Sequence, residues 1–221
     1  MSPQGDLFLG LWVTIGTLVG LATPFLADYL VRRHAEISPL PQGPRNLSRS
    51  AAIVVCGTFG GTIVLVLDLV SGSRFETLIK ATNLFLLLLI ALIDWRAHLV
   101  LDIVTYPAAV LVAVLSGVLG GNGFGPVIAG ALVGLLLYGL LYGLGWLFTR
   151  QEALGFGDVK LAGLIGLMVG VGIVLPALLL AAVIGGVVSI LLVLVRRHRG
   201  DQYLPYGIFM AAGAAYFVVV G

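Results

Sequence analysis

Three aspartates, Asp94, Asp102 and Asp158, stand beside long apolar stretches of this 221-residue sequence. An acid in or next to a hydrocarbon environment is energetically costly, so such a residue is by default a functional candidate. Asp158 lies within the hexapeptide Gly155–Lys160, between Gly157 and an apolar run. Two neighbouring carboxylates cannot both ionise cheaply, so they share a proton; one acts as a base toward water and the other as an acid toward a carbonyl oxygen. Such a pair predicts the chemistry of an aspartic peptidase.

The composition predicts where these acids lie. The sequence is 60% hydrophobic and only 10% charged, whereas soluble proteins are about 25% charged. Its apolar runs are about 20 residues long, the length of a helix that crosses a bilayer, and strand-like alternation is absent. We therefore predict an all-α fold, a polytopic membrane helical bundle. The basic residues form no continuous face, so we expect no nucleic-acid partner.

We expect about eight transmembrane helices within a single domain spanning residues 1–221. The eight apolar segments are Leu7–Val31, Ala51–Val70, Leu78–Ile93, Ile103–Leu119, Phe124–Phe148, Val159–Val171, Ile173–Val195 and Tyr203–Val220. Nine of the twelve Lys and Arg residues follow the odd-numbered segments, two fall in the opposite loops, and Lys160 belongs to the hexapeptide. The positive-inside rule then makes the nine-residue face cytoplasmic and puts both ends of the sequence outside. Residues 32–50 form a short cytoplasmic loop.

This orientation puts all three acids at cytoplasmic helix ends, at one membrane depth. Asp158 begins a helix, whose positive end favours the ionised form, and Asp94 closes one, whose negative end favours the protonated form. We hypothesise that Asp94 holds the shared proton. Asp102 fits a helix N-cap before Ile103 or an acid that faces substrate.

The other polar residues have open roles. Lys160 is consistent with three roles: it tunes the ionisation of Asp158, it contacts substrate, or its ammonium group simply reaches the membrane interface. Asp28 has Arg32 as a partner at helical spacing. His98 lies near the acids, but the spacing matches no metal pattern, so we expect no metal and no cofactor. Ser73 and Glu76 have capping-box spacing before the third apolar segment.

Two stretches resemble the catalytic motifs of the type IV prepilin peptidases, membrane aspartic peptidases of the GxGD type. Residues 93–107 show an Asp, a second acid eight positions on and a Thr shortly after, as in the first motif; Gly155–Leu161 resembles the second. Leu204–Phe209 resembles the family's final P-[YF]-G-P-F segment, with Ile208 where Pro is common, and Leu101 likewise replaces a usual Pro. The resemblance covers most of the chain from Leu88 onward.

The resemblance implies that Asp94 and Asp158 are the catalytic pair. It implies cleavage, at the cytoplasmic face of the bacterial inner membrane, of a basic leader from type IV pilin-like or pseudopilin precursors of pili or type II secretion. Gly155 and Gly157 would let the backbone approach an extended substrate. Family members that also methylate contain two C-x-x-C pairs in a cytoplasmic insertion. Here Cys56 is the only cysteine, so methyltransferase activity is doubtful in this short form.

Two other function classes stay open at this stage. A proton- or cation-coupled transporter would place acids near the membrane midplane and show inverted repeats, neither of which is evident. An inactive structural subunit of a pilus or secretion machine would not need an intact pair of acids. Presenilin-type proteases share the G-x-G-D motif but have a Tyr before the first acid, where this chain has Ile93. Homo-oligomerisation is also open.

Overall fold

The computed structural model describes residues 3–37, 49–71, 73–121, 123–149, 154–195 and 205–221, and these ranges contain α-helices joined by short turns, with no strand. The helices are α1 (Pro3–Ile37), α2 (Arg49–Val70), α3 (Arg74–Ala97), α4 (Asp102–Val114), α5 (Phe124–Thr149), α6 (Phe156–Val169), α7 (Val174–Leu194) and α8 (Tyr206–Val220). A π-helical turn, Leu115–Leu119, continues α4. The prediction of an all-α polytopic membrane bundle is confirmed.

Each helix overlaps one of the eight predicted apolar segments. By length and composition, five stretches of the described chain are suited to cross a membrane: Trp12–Glu36, Arg74–Ala97, Asp102–Leu119, Phe124–Phe148 and Val174–Leu192. Helix α8 is apolar but shorter, and α6 has only 14 residues. The number of crossings stays a prediction. Most of the loop 32–50, and the arginines at 45, 150, 196, 197 and 199, lie outside the described residues.

Helix α3 has well-defined ends, which matters because its last turn bears Asp94. The predicted helix start is confirmed, since Ser73 is the N-cap and its side chain accepts a hydrogen bond of 3.2 Å from the backbone N–H of Glu76. At the other end His98 adopts a left-handed conformation (φ 52°), and its N–H donates to the carbonyl of Asp94 at 2.8 Å. Asp94 is therefore fixed in the last hydrogen-bonded turn.

Small residues bring the helices together. A Cβ atom added at Gly20 of α1 would overlap the carbonyl of Cys56 on α2, and one added at Gly166 of α6 would overlap the carbonyl of Gly130 on α5. In lipid, where apolar side chains gain little by leaving the solvent, such close backbone packing is a main source of helix association. These glycines therefore determine how closely the pairs α1–α2 and α5–α6 approach.

Helix α6 lies at the centre of the bundle. It contacts α4, α5, α7 and α8, and its side chains Leu161, Leu164 and Ile165 are at most 1% exposed. The outer helices α5 and α7 instead present large apolar side chains such as Leu136 and Leu179 to the surroundings. The short helix that begins with the G-x-G-D motif is thus enclosed by longer helices.

Candidate active site

Asp94 is a buried acid, only 5% exposed, in the last turn of α3. Its Oδ2 accepts a hydrogen bond of 3.2 Å from the backbone N–H of Ile208, in the first turn of α8. The backbone N–H of Gly207 also faces this carboxyl group. Asp94 therefore joins the C-terminal end of α3 to the N-terminal end of α8.

Helix α8 needs this contact because it has no cap of its own. Its N-cap residue is Pro205, which makes no side-chain capping hydrogen bond. A normal N-cap oxygen accepts from the second or third N–H of the helix, and Gly207 and Ile208 occupy these two positions. The carboxylate of Asp94 thus caps α8 from another helix.

This contact changes the helix-end argument about the shared proton. Asp94 lies at the negative end of α3 and also at the positive end of α8, and the two effects oppose each other. The assignment of the proton to Asp94 stays a hypothesis that helix position alone no longer supports. Because Oδ2 is used as an acceptor, Oδ1 of Asp94 and the carboxyl of Asp158 are the positions available to the proton.

Asp158 is the third residue of α6 and is partly buried. Gly155 is the N-cap in an extended conformation, and its carbonyl accepts from the Asp158 N–H at 3.0 Å. Asp158 Oδ2 lies over this turn, 3.4 Å from where a Cβ of Gly155 would be. The carboxyl of Asp158 interacts electrostatically with that of Asp94, so two acids 64 positions apart in sequence lie within electrostatic range of each other at one end of the bundle.

Asp102 and Lys160 form a second polar contact between α4 and α6. The Lys160 Nζ lies 2.6 Å from Asp102 Oδ1, and it also stands over the rings of Tyr106 at 5.4 Å and Phe156 at 5.0 Å. Cation–π contacts of this kind help to hold an ammonium in place. Lys160 is therefore held in place by Asp102 and the two rings. Its recorded hydrogen bond goes to Asp102 and not to Asp158.

Of the two roles predicted for Asp102, the N-cap of α4 was wrong, and the acid that faces substrate stays a prediction. Leu101 is the N-cap residue, in an extended conformation and without a side-chain cap, and Asp102 is the first residue of the helix. The physical reason is the ion pair, because the carboxylate of Asp102 points toward Lys160 on the neighbouring helix. The acid remains near the helix N-terminus, where its charge is favourable.

Gly157 packs inside the protein rather than presenting open backbone. A Cβ at this position would lie 2.9 Å from the Cβ of Val100, in the segment between α3 and α4. The glycine therefore allows α6 to sit against the loop that follows Asp94. We expected Gly157 to let the backbone approach an extended substrate. In the structure it lets α6 approach the loop that follows Asp94, so that the two motifs pack against each other.

Two polar contacts near the acids were not found from the sequence. Arg96, 4% exposed, donates to the carbonyl of Pro24 at 3.2 Å and to the carboxylate of Asp28. Asp28, for which the sequence offered Arg32, is thus paired with α3. The Tyr138 hydroxyl lies 3.2 Å from that of Tyr206. The sequence signal was that Asp28 and Tyr138 are polar groups within apolar runs.

No group of three or more potential His, Cys, Asp or Glu metal ligands occurs within the described ranges. A cavity of about 340 Å³ lies at the opposite end of the bundle, between the start of α3 and the ends of α6 and α8, and its lining includes Glu76, Lys80 and Asn83. None of the candidate site residues lines it.

The fold and the site define a polytopic helical membrane protein with two acids at one end, Asp94 buried and Asp158 partly buried. A sequence model described as the type IV leader peptidase family matches residues 81–190, a segment that includes both acids and the G-x-G-D motif. This segment belongs to the type IV leader peptidase family, in agreement with the resemblance of its motifs.

Similar curated proteins are all described as prepilin leader peptidase/N-methyltransferase. The chain is 30% identical to the Pseudomonas putida protein over 63% of its own length and 49% of that protein. It is 37% identical to the Burkholderia pseudomallei (strain K96243) protein over 32% of its own length and 24% of that protein. It is 34% identical to the Aeromonas hydrophila protein over 29% and 22%, respectively. The chain thus spans half or less of these relatives. No solved structure matches it.

Proposed function

We propose that this protein is an aspartic endopeptidase that cleaves the leader from type IV pilin-like precursors at the cytoplasmic face of the bacterial inner membrane. The observation that supports it best is the convergence of Asp94 and Asp158, from separate motifs, at one end of the bundle. The leader peptidase family of residues 81–190 supports the substrate class. We keep the single domain 1–221 and the cytoplasmic orientation as parts of this proposal.

The proposed reaction is hydrolysis of one peptide bond. The ionised carboxylate takes a proton from a water molecule, and the water oxygen attacks the scissile carbonyl carbon while the protonated carboxyl donates to the carbonyl oxygen. Collapse of the tetrahedral intermediate breaks the C–N bond, and the amine leaves with a proton from the pair. The products are the leader with a new carboxylate and the shortened precursor with a new amine.

The burial of Asp94 is consistent with peptide hydrolysis by two acids that share a proton. Asp94 is nearly inaccessible, and carboxylates in a low-dielectric site are the ones that share a proton instead of both ionising. The partly buried Asp158 leaves one side of the pair accessible to a substrate. Asp102 and Lys160, at least half and about one fifth exposed respectively, lie where the polar segment of a precursor would enter the site.

We do not extend the proposal to methyl transfer. The relatives are described as both peptidase and N-methyltransferase, but this sequence has a single cysteine and no C-x-x-C pair. Cys56 is buried between α1 and α2, 3% exposed, and does not lie in the loop 32–50 that would correspond to a cysteine-rich insertion. The proposal therefore covers peptidase activity, and methyltransferase activity stays doubtful.

Co-expression with a pilin-like precursor tests the proposal. We expect a shift in precursor mobility and a mass loss equal to the leader. The doubly substituted Asp94→Asn/Asp158→Asn protein serves as the control for cleavage by host peptidases. A membrane-inserted, folded protein that leaves every tested precursor intact would support a transporter or structural subunit instead. Methylation would show as an additional 14 Da on the new N-terminus, roughly one methylene.

A further inference from the structure

The cavity at the far end of the bundle from the acids takes no part in the proposed peptidase reaction. Its volume of about 340 Å³ lies within the range of small-molecule sites, about 300–1,000 Å³. Its walls are element ends: the starts of α3 and α5, the π-helical turn after α4, and the last turns of α6 and α8. By length and composition, α3, α4 with its turn, and α5 are suited to cross a membrane, so the cavity lies at the depth of the lipid head groups.

One face of α3 contributes a row of polar side chains that runs from the outer part of the cavity inward. Glu76, Lys80 and Asn83 follow one another at helical spacing. Their exposed fraction falls from 40% for Glu76 and 13% for Lys80 to 2% for Asn83. The Lys80 Nζ lies 2.8 Å from Glu76 Oε1 and donates to the carbonyl of Val219 at 3.4 Å. The row thus places a cation about 4.5 Å along the helix axis from a buried amide.

Two buried oxygens of residues that line the cavity have no hydrogen-bond partner in the part of the chain that the structure describes. They are Asn83 Oδ1 and Ser116 Oγ, and Ser116 is 8% exposed. Buried polar atoms in native proteins almost always have a partner, so each exception calls for an explanation. Both oxygens can accept a hydrogen bond from a bound donor.

Ser116 differs from other helical hydroxyl groups of this chain. The hydroxyls of Thr82 and Ser189 donate to the carbonyl four residues earlier, at 2.8 and 2.7 Å. Ser116 lies instead in the π-helical turn, where the N–H of Gly120 donates to the carbonyl of Leu115 at 3.2 Å. Such turns within helices are frequent at functional sites. The hydroxyl of Ser116 is therefore available to a ligand.

We propose that the cavity binds a small zwitterion in which two carbons join a primary ammonium to a phosphate, as in the phosphoethanolamine head group of a membrane lipid. The ammonium donates to Asn83 Oδ1 and Ser116 Oγ, and the carbonyl ends of α6 and α8 favour its positive charge. The phosphate binds at Lys80, whose ammonium has three donors, and the starts of α3 and α5 favour the negative charge. The two-carbon linker suits the short rise between Lys80 and Asn83.

Native mass spectrometry of the purified full-length protein, released from detergent micelles, tests the proposal with matched probes. Phosphatidylethanolamine and phosphatidylcholine with the same acyl chains share the phosphate and the net charge, but the trimethylated ammonium of the second has no N–H donor. We expect the first to bind at least about tenfold more tightly, the effect of hydrogen bonds to a charged group.

Phosphoethanolamine and phosphocholine, which have no acyl chains, distinguish the two sources of the ligand. Both arms support the proposal if the ethanolamine member of each pair binds more tightly. Phosphoethanolamine that binds as tightly as the lipid would identify a soluble ligand, and tighter binding of the lipid would identify a lipid ligand.

Three variants assign the recognition to named groups, with a fourth as the control. Asn83→Leu and Ser116→Ala should each reduce the preference for the ethanolamine lipid to about threefold or less, without lowering the melting temperature of the ligand-free protein, because an unpaired buried oxygen is removed. Lys80→Met should weaken both lipids to the same degree, since both have the phosphate. Ser189→Ala, whose hydroxyl is bonded within α7, should keep the preference of the wild type.

Equal affinity of the wild type for the two lipids would overturn the proposal, and so would an unchanged preference in Asn83→Leu and Ser116→Ala. The cavity would then hold water only. If Asn83→Leu does not fold, Ser116→Ala decides alone, because it removes a single hydroxyl. Binding is measured directly, so the result does not depend on whether the protein cleaves a precursor.

Discussion

Gly207 is the position at which a single added methyl group most directly disturbs the candidate site. A Cβ atom there would lie 2.8 Å from Oδ2 and 3.0 Å from Cγ of Asp94. Contacts this short are not tolerated, and Asp94 is too buried to swing into open space. In Gly207→Ala either the carboxyl group or the first turn of α8 must therefore shift, and the hydrogen bond from Ile208 is lost or weakened.

The size of the effect follows from that hydrogen bond. Hydrogen bonds to charged groups contribute about 1.5–3 kcal/mol, and each 1.36 kcal/mol lost from transition-state stabilisation is tenfold in rate. We therefore expect kcat for precursor cleavage to fall about 10- to 150-fold in Gly207→Ala. The assay is the initial rate of leader release from a purified precursor in liposomes, normalised to folded protein.

Two other glycines provide matched controls for Gly207→Ala. A Cβ at Gly143 of α5 has no other atom within 4 Å, so Gly143→Ala should leave the rate unchanged. A Cβ at Gly213, on α8 itself, would lie 2.7 Å from the backbone N of Ala181; Gly213→Ala should lower the melting temperature without a specific loss of kcat in the folded fraction. A folded Gly207→Ala protein within twofold of wild type would refute the reasoning.

The remaining predictions concern the acid pair, the ion pair, helix packing and orientation. The pH–rate profile should be bell-shaped, since one acid must be ionised and the other protonated. Lys160→Met and Asp102→Asn should each change stability by less than about 1 kcal/mol, because exposed ion pairs contribute little; their effect on cleavage should appear in KM if the pair meets the substrate. Gly166→Ala should destabilise the fold by about 1–3 kcal/mol, the cost of overpacking, measured by thermal unfolding in detergent. In a cysteine-free background, an impermeant maleimide applied to spheroplasts should label Phe75→Cys but not Phe156→Cys.

Each of these predictions has an outcome that contradicts it. A rate that rises without a maximum across the accessible pH range would remove the need for two protonation states. A large loss of kcat, with unchanged KM, in the Lys160 variant would show that the lysine acts on the chemistry. A Gly166 variant as stable as Gly143→Ala would show that α5 and α6 pack less closely than described. Labelling of position 156 from outside would show that the protein has the opposite orientation in the membrane.

The helices could be predicted from the sequence because the bilayer constrains them strongly. A run of about 20 apolar residues must form a helix in lipid, since its backbone groups have no other partners. The start of α3 was also predictable, because capping is local and Ser73 and Glu76 are three residues apart. The shortness of α6 is set instead by Gly170, which ends the helix with a positive φ of 73°.

The candidate site could be predicted only in part. Asp94 and Asp158 stand in recognisable local patterns, and the structure brings them together. The segment Leu204–Phe209 was recognisable from its resemblance, but its contact with Asp94 was not predictable, because Ile208 is 114 residues from Asp94. Arg96 and Asp28 are 68 residues apart. The N-cap prediction for Asp102 failed for the same reason, since Lys160 on another helix takes the carboxylate.

The measurement that tests the central claim most directly is leader cleavage by the two single variants, Asp94→Asn and Asp158→Asn, as purified, folded proteins. Asn keeps the size of the side chain and removes its ability to ionise. We predict that each variant loses activity by several orders of magnitude while its thermal stability and oligomeric behaviour remain those of the wild type. Full cleavage by either variant would contradict the claim that the two acids form one catalytic pair.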